Sequence, residues 1–300
     1  MLLMIKPIEV TDSRLVSTNV DETDYAAWSS ATTYALGARV VRTTTHRIYE
    51  SAQGGNLNKT PEDNTPTWWL EVEATDKWKP FDGRISLRAS SATAIWWRIK
   101  APVRCNFVAV FGIITGTVRV RVYTSAGALR SDTTKTAGGF FPYGYTTWTN
   151  AFTGFEFYDS LAFMDLNIQA DDEVRVDFAD STLHEVGEIV IGPAIPLGDA
   201  LMDTKTGFID YSTKERDYYG DVVKVKRPAG DRAEYVVRAV SMSVERLLRQ
   251  LRSVRSTPAV FVTQTPETLG TMVYGYVRDP MIGAAGPTLG LYTLEVEGVT

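Results

Sequence analysis

Apolar and charged residues alternate along much of this chain, and that period of two predicts a mainly β protein. Val118–Tyr123 alternates strictly, and Val174–Phe178 repeats the pattern, as strands with one buried face do. Phe107–Ile114 is a continuous apolar run, which predicts a strand covered on both faces, and Glu188–Gly192 reads as a shorter strand ending at Gly-Pro. Turn residues punctuate the stretch at Ser125–Gly127, Gly138–Gly139, Pro142–Gly144 and Ala170–Asp172. Short strands at regular spacing predict a β-sandwich, jelly-roll-like, over residues 76–198.

From residue 199 the pattern changes. Gly207–Tyr211, Asp221–Lys226 and Ala233–Val240 read as strands, followed by one amphipathic helix over Ser243–Arg255. Val244, Leu247, Leu248, Leu251 and Val254 share one face of a 3.6-residue repeat. Ser241 or Ser243 suits its N-cap, Glu245 its positive first turn, and Pro258 stops it. Strands around Val260–Val262, Met272–Tyr276 and Leu289–Val296 complete an α+β unit over 199–300. Residues 1–24 read as an extended arm, or one short strand followed by a polar linker, with no evident partner in its own unit; in an assembly it could lie across a neighbouring subunit.

Residues 25–75 form a small module in which large rings must supply most of the burial. It carries Trp28, Tyr34-Ala-Leu-Gly37, Val40-Val41, Ile48-Tyr49, a Gly54-Gly55 loop, Pro61, Pro66 and Trp68-Trp69. That order resembles the chitin-binding type 3 carbohydrate-binding modules. Sugar-binding members place an exposed aromatic pair soon after the second Tyr, whereas Glu50–Gly55 here contains no ring. The resemblance implies the module fold, not sugar binding. Trp28, Tyr34, Tyr49 and one of Trp68 and Trp69 are expected in its core. Neighbours on a strand point to opposite faces, so the other Trp is the candidate for meeting a glycan or a partner.

Several segments together resemble a family of bacteriophage tail proteins that carry such a module near the N-terminus. They are Tyr25–Trp28, Trp68-Trp69, Lys77–Asp82, Gly192–Gly198, Gly207–Glu215 and Tyr292–Gly298. The resemblance implies a structural virion component of a tail, tail tip or collar, assembled in the host cytoplasm. Its partners would be copies of itself and other tail proteins.

Composition narrows the chemistry. With 31 basic and 36 acidic residues, a net charge of −5 gives no global field for nucleic acid, so no specific nucleic-acid binding is expected. The single cysteine, Cys105, sits in an apolar run and reads as a buried, inert thiol. Met1–Ile5 is too short for a signal sequence and no run is long enough to span a bilayer, so no membrane insertion is expected. His46 and His184, the only histidines, fall in different predicted units and read as surface or edge-strand residues. No motif for zinc, phosphate loops or a nucleophile elbow occurs, and no cofactor is implied.

Three clusters remain as candidates. Glu156, Asp159 and Asp165 lie among aromatics and are the best pair-forming carboxyls for glycoside hydrolysis. Asp171, Asp172 and Glu173 offer oxygens for Ca²⁺ or form a solvated turn. Arg246, Arg249, Arg252 and Arg255 spiral around the polar side of the helix at about 100° per residue and suit a subunit contact. The reading that follows is a non-enzymatic structural tail protein working by symmetric assembly. A receptor- or glycan-binding tail component is the alternative, and a surface-polysaccharide hydrolase the third.

Overall fold

The computed structural model describes residues 1–137, 159–201, 203–216, 218, 220–240, 244–263, 272–284 and 289–300. Among the described residues it is mainly β, with antiparallel sheets and a single α-helix. Strands β1 (Leu2–Ile5) and β2 (Leu15–Thr18) precede the small module. The module holds β3 (Thr33–Tyr34), β4 (Arg39–Arg42), β5 (Arg47–Ser51), β6 (Asn56–Leu57) and β7 (Trp69–Ala74). The middle of the chain supplies β8 (Ala89–Ser91), β9 (Ile95–Lys100), β10 (Phe107–Phe111), β11 (Thr117–Tyr123) and β12 (Leu129–Thr136). It continues with β13 (Ser160–Phe163), β14 (Glu173–Ala179), β15 (His184–Val186) and β16 (Glu188–Gly192). The last third contains β17 (Ala194–Ala200), β18 (Lys205–Asp210), β19 (Thr213–Arg216), β20 (Val222–Val225) and β21 (Ala229–Val240). Helix α1 (Val244–Arg252), β22 (Ala259–Thr263), β23 (Met272–Ala284) and β24 (Leu289–Gly298) follow.

The sandwich forms because its strands keep a strict period of two. A five-stranded sheet, order β12-β11-β14-β9-β2, turns Val118, Val120, Val122, Val174, Val176, Phe178 and Trp97 inward. They meet Val108, Val110, Phe163, Ile189 and Ile191 of a three-stranded sheet, order β13-β10-β16. The expected doubly covered strand is β10, buried at all five positions. Its second face (Phe107, Ala109, Phe111) packs on Leu3, Ile5, Val260, Val262 and Tyr274 of the C-terminal sheet.

That C-terminal sheet closes on itself. Its order is β17-β1-β22-β23-β24-β21, and β21 pairs back onto β17 through Asp199↔Arg238 and Ala200↔Val237. Six antiparallel strands thus make a barrel, and β18 continues the sheet as a flap along the other half of β21. Gly198 sits at the bulge beside Leu2 with φ 137, and a Cβ there would lie 2.7 Å from the Arg238 carbonyl oxygen. Only glycine lets the two strands approach so closely while holding that backbone angle. The barrel interior holds Met4, Leu197, Tyr235, Val237, Phe261, Tyr292 and Leu294, and Leu247, Leu251 and Val254 close it from the helix side. Tyr292 Oη satisfies itself on the Leu197 carbonyl at 2.9 Å.

The helix was expected at Ser243–Arg255 and is seen at Val244–Arg252, with its last turn continuing as turns through Thr257. The two candidate caps, Ser241 and Ser243, lie outside the described residues. Of the two expectations for the N-terminal segment, the short strand is the one seen, and the arm without a partner is corrected. Residues 2–5 are fully buried as β1, paired on one side with β17 and on the other with β22. Residues 15–18 add β2 to the edge of the sandwich by pairing with β9. The partners were not readable, because a four-residue apolar strand carries no mark of them in sequence when both lie some 190 or more residues away.

Met4→Ala and Ile5→Ala should therefore each cost about 2–5 kcal/mol, the range for truncating buried aliphatics. A free arm would give less than about 0.5 kcal/mol. Chemical denaturation of the two variants separates these outcomes.

Candidate functional site

The small module packs around Val40, Tyr49 and Trp69, with Trp28, Tyr34 and Trp68 against them. Trp69 is wholly buried, its ring edge-on to Tyr34 at 5.2 Å and its Nε1–H donating to the Lys59 carbonyl at 2.8 Å. Trp68 is half-buried on the other side, with the Lys59 ammonium 5.4 Å from its ring centroid. Trp28 is likewise capped by the Arg42 guanidinium at 4.9 Å. Rings covered by cations are not a flat, coplanar platform, so the module's aromatics serve its core first.

The module is tied to the body through His46. Its ring stacks on Trp78 at 4.3 Å, and Glu22 Oε1 lies 2.8 Å from Nδ1 while Asp12 Oδ1 lies 2.9 Å from Nε2. Glu22 also accepts from the Thr75 hydroxyl at 2.9 Å. His184, expected at the surface or on an edge strand, lies on β15 of the two-stranded β15-β8 sheet but is buried, with Nδ1 2.9 Å from the Thr115 hydroxyl. Both histidines sit in structural contacts. Cys105 is buried, and desolvation pushes its thiol up to about 11, so it holds its proton at neutral pH.

The acidic clusters disperse. Asp171 pairs with Lys100 at 2.9 Å, Asp172 with Arg130 at 3.1 Å, and Glu173 with Arg98. Asp172 also accepts the Gln169 N–H at 2.8 Å. Three carboxylates that each hold a separate cation do not converge on one ion, and no metal-ligating group of three occurs among the described residues. Asp159 precedes the four-residue strand β13 and Asp165 follows it, so the two lie beyond opposite ends of one strand. Glu156 lies outside the described residues.

What remains is a surface on the barrel. Helix α1 exposes Arg246, Arg249 and Arg252, whereas Arg255, expected on the same helix, is exposed in the turns that follow it. Arg249 contacts Glu245 at 2.7 Å, but both ends are largely in solvent, where such a pair adds little. Beside the helix opens a groove of about 730 Å³ lined by Leu248, Leu251, Arg252, Arg255, Tyr276 and Val277. Further along the barrel, β18 carries Phe208 at 73% exposure, and the β19–β20 ribbon carries Tyr218 at 96% with Val222 and Val225 about half exposed. The outer edge of β18 has no strand partner among the described residues. Sequence reading placed strands here but missed that they leave the core. Its one available signal was the high charge of residues 213–227, which leaves few apolar positions for an inner face. No protein-family model, no curated protein and no solved structure matches this chain.

Trp69→Ala should cost the module about 3–5 kcal/mol, whereas Trp68→Ala should cost about 1 kcal/mol. Tryptophan fluorescence during urea unfolding of each variant measures both, and equal losses would contradict the inside–outside assignment.

Proposed function

We propose that this chain is a non-enzymatic structural component of a bacteriophage tail, tail tip or collar that works by docking to copies of itself and to other tail proteins. The observation that carries the docking half is the projecting β18–β20 segment. A two-stranded ribbon has too little core to be stable alone in water. Its exposed Phe208, Tyr218, Val222 and Val225, next to an open strand edge, make a surface that gains by being covered. The arginine face of α1 and the groove beside it add a second contact of different chemistry on the same barrel. The tail half rests on the family resemblance of the segments from Tyr25 to Gly298.

Docking by several weak patches fits a symmetric assembly, because symmetry repeats each contact and makes the set multivalent. Glycan binding has less support: Trp69 is inside, and Trp68 is shared with Lys59. Hydrolysis has less still, since Asp159 and Asp165 lie beyond opposite ends of β13.

Sedimentation velocity at micromolar concentration should show self-association, or association with tail extract. Phe208→Glu should weaken it by about tenfold or more, and so should Arg252→Glu combined with Arg255→Glu. A monomer under both conditions, absent from purified particles, would refute the proposal.

A further inference from the structure

Glu188 belongs to none of these surfaces, and its setting is unusual. It opens β16 at the floor of a cleft of about 350 Å³ and is 5% exposed. No cation pairs with it among the described residues; Asp172, equally buried, has Arg130. The cleft is walled by the Pro7–Val10 strap, by Phe81, Asp82 and Gly83 leaving the small module, and by Thr257, Pro258 and Tyr274 of the barrel. One carboxyl therefore touches all three parts of the molecule. Its Oε2 accepts the Gly83 N–H at 2.9 Å, and its Oε1 faces the Tyr274 hydroxyl at 3.4 Å.

Asp82 stands beside it. Its Oδ1 accepts the Arg84 N–H at 2.9 Å, while its Oδ2 is buried with no hydrogen-bond partner. Burial lifts Asp82 to about 6 despite that N–H and the positive charges of Arg84, Arg47 and Lys79. Burial also raises Glu188 well above the carboxylate range, and the charge of Asp82 pushes it further, against the pull of Gly83 N–H and Tyr274. Tyr274, desolvated and facing Glu188 with Tyr276 nearby, stays a protonated donor. Glu9, on the strap, adds a further carboxylate to the cleft wall.

We propose that Glu188 and Asp82 form a protonation-controlled joint between the small module, the sandwich and the barrel. While the pair holds protons, Glu188 links Gly83 to Tyr274 across a desolvated seam. Once both carboxyls ionise, two adjacent anions, with Glu9 in the wall of the cleft, draw water in and loosen the Phe81–Gly83 segment from β16 and β23. The sign follows from the direction of the shifts. Both groups bind protons more tightly folded than unfolded, so their contribution is complete below the ordinary carboxylate values near 4. It is lost as pH rises through about 6 for Asp82 and higher for Glu188. The inference is independent of the assembly reading.

Amide hydrogen exchange at Gly83 and its neighbours, corrected for the intrinsic pH dependence, reads the joint directly in the full chain. Protection in the wild type should fall by about tenfold or more between pH 6 and 9, one decade for each pH unit of net linkage. Glu188→Gln keeps an oxygen for Gly83 N–H but cannot ionise, so its protection should stay flat. Asp82→Asn removes the neighbouring charge that helps Glu188 keep its proton, so the fall should become smaller and end at lower pH. A wild type as flat as Glu188→Gln, or a variant that falls in parallel with the wild type, would overturn the joint. If Glu188→Gln does not fold, Asp82→Asn decides alone, and an unmoved fall counts against it.

Discussion

Four residues at the start of the chain hold the architecture together. In β1, Leu2 and Met4 point into the barrel, while Leu3 and Ile5 point out onto the sandwich. A strand offers opposite faces to successive side chains, so an uninterrupted apolar run satisfies two cores at once. Among the described residues β1 alone joins β17 to β22, and without it the barrel sheet would have two open edges in place of a closed seam. The same run would be costly as a free arm, because it would expose four large apolar side chains to water. Its burial follows from that cost.

The rest of the N-terminal segment continues the stitching. After β1, the backbone N–H of Ile8 donates to the Ile191 carbonyl at 2.8 Å on the sandwich, and β2 extends the five-stranded sheet. Asp12 and Glu22 then reach His46 on the small module. One thread thus passes barrel, sandwich and module in turn, and the Glu188 cleft lies where it crosses from the first to the second. Contacts between parts of a chain are usually modest and permit relative motion. Here the sandwich–barrel contact is an apolar layer shared by β10, β16, β1, β22 and β23, which makes those two parts one body. The module, joined mainly by polar contacts and one stacked pair, is held by weaker and more tunable forces.

Local pattern made much of this legible. The strict alternation in β11 and β14 and the fully apolar run of β10 specified which faces are buried, because side-chain period alone decides that. The helix was readable for the same reason, with Leu247, Leu251 and Val254 reaching the core as spaced. Barrel closure was not readable. It depends on pairings such as Leu2↔Thr263 and Asp199↔Arg238, whose partners are far apart in sequence and carry no local mark. Glu188 was hidden by its own strand: Glu at the head of Ile-Val-Ile reads as a solvent-facing start, and only the arrival of Gly83 and Tyr274 makes it interior.

Edges decide where such a molecule can grow. The barrel removes most of its own by closure, and the sandwich edge strand β12 is guarded by Arg130, Asp132 and Lys135 along its length, with Asp132 held by Arg119. Interspersed charge of that kind opposes pairing with another chain. β18 has the opposite design: its charges, Lys205 and Asp210, stand only at its ends, and Gly207 and Phe208 occupy the middle. A glycine without a Cβ beside an exposed ring leaves space and apolar surface together, and a Cβ at Gly207 would meet nothing within 4 Å. The contrast between one guarded edge and one left open among the described residues is what supports the proposed docking at β18.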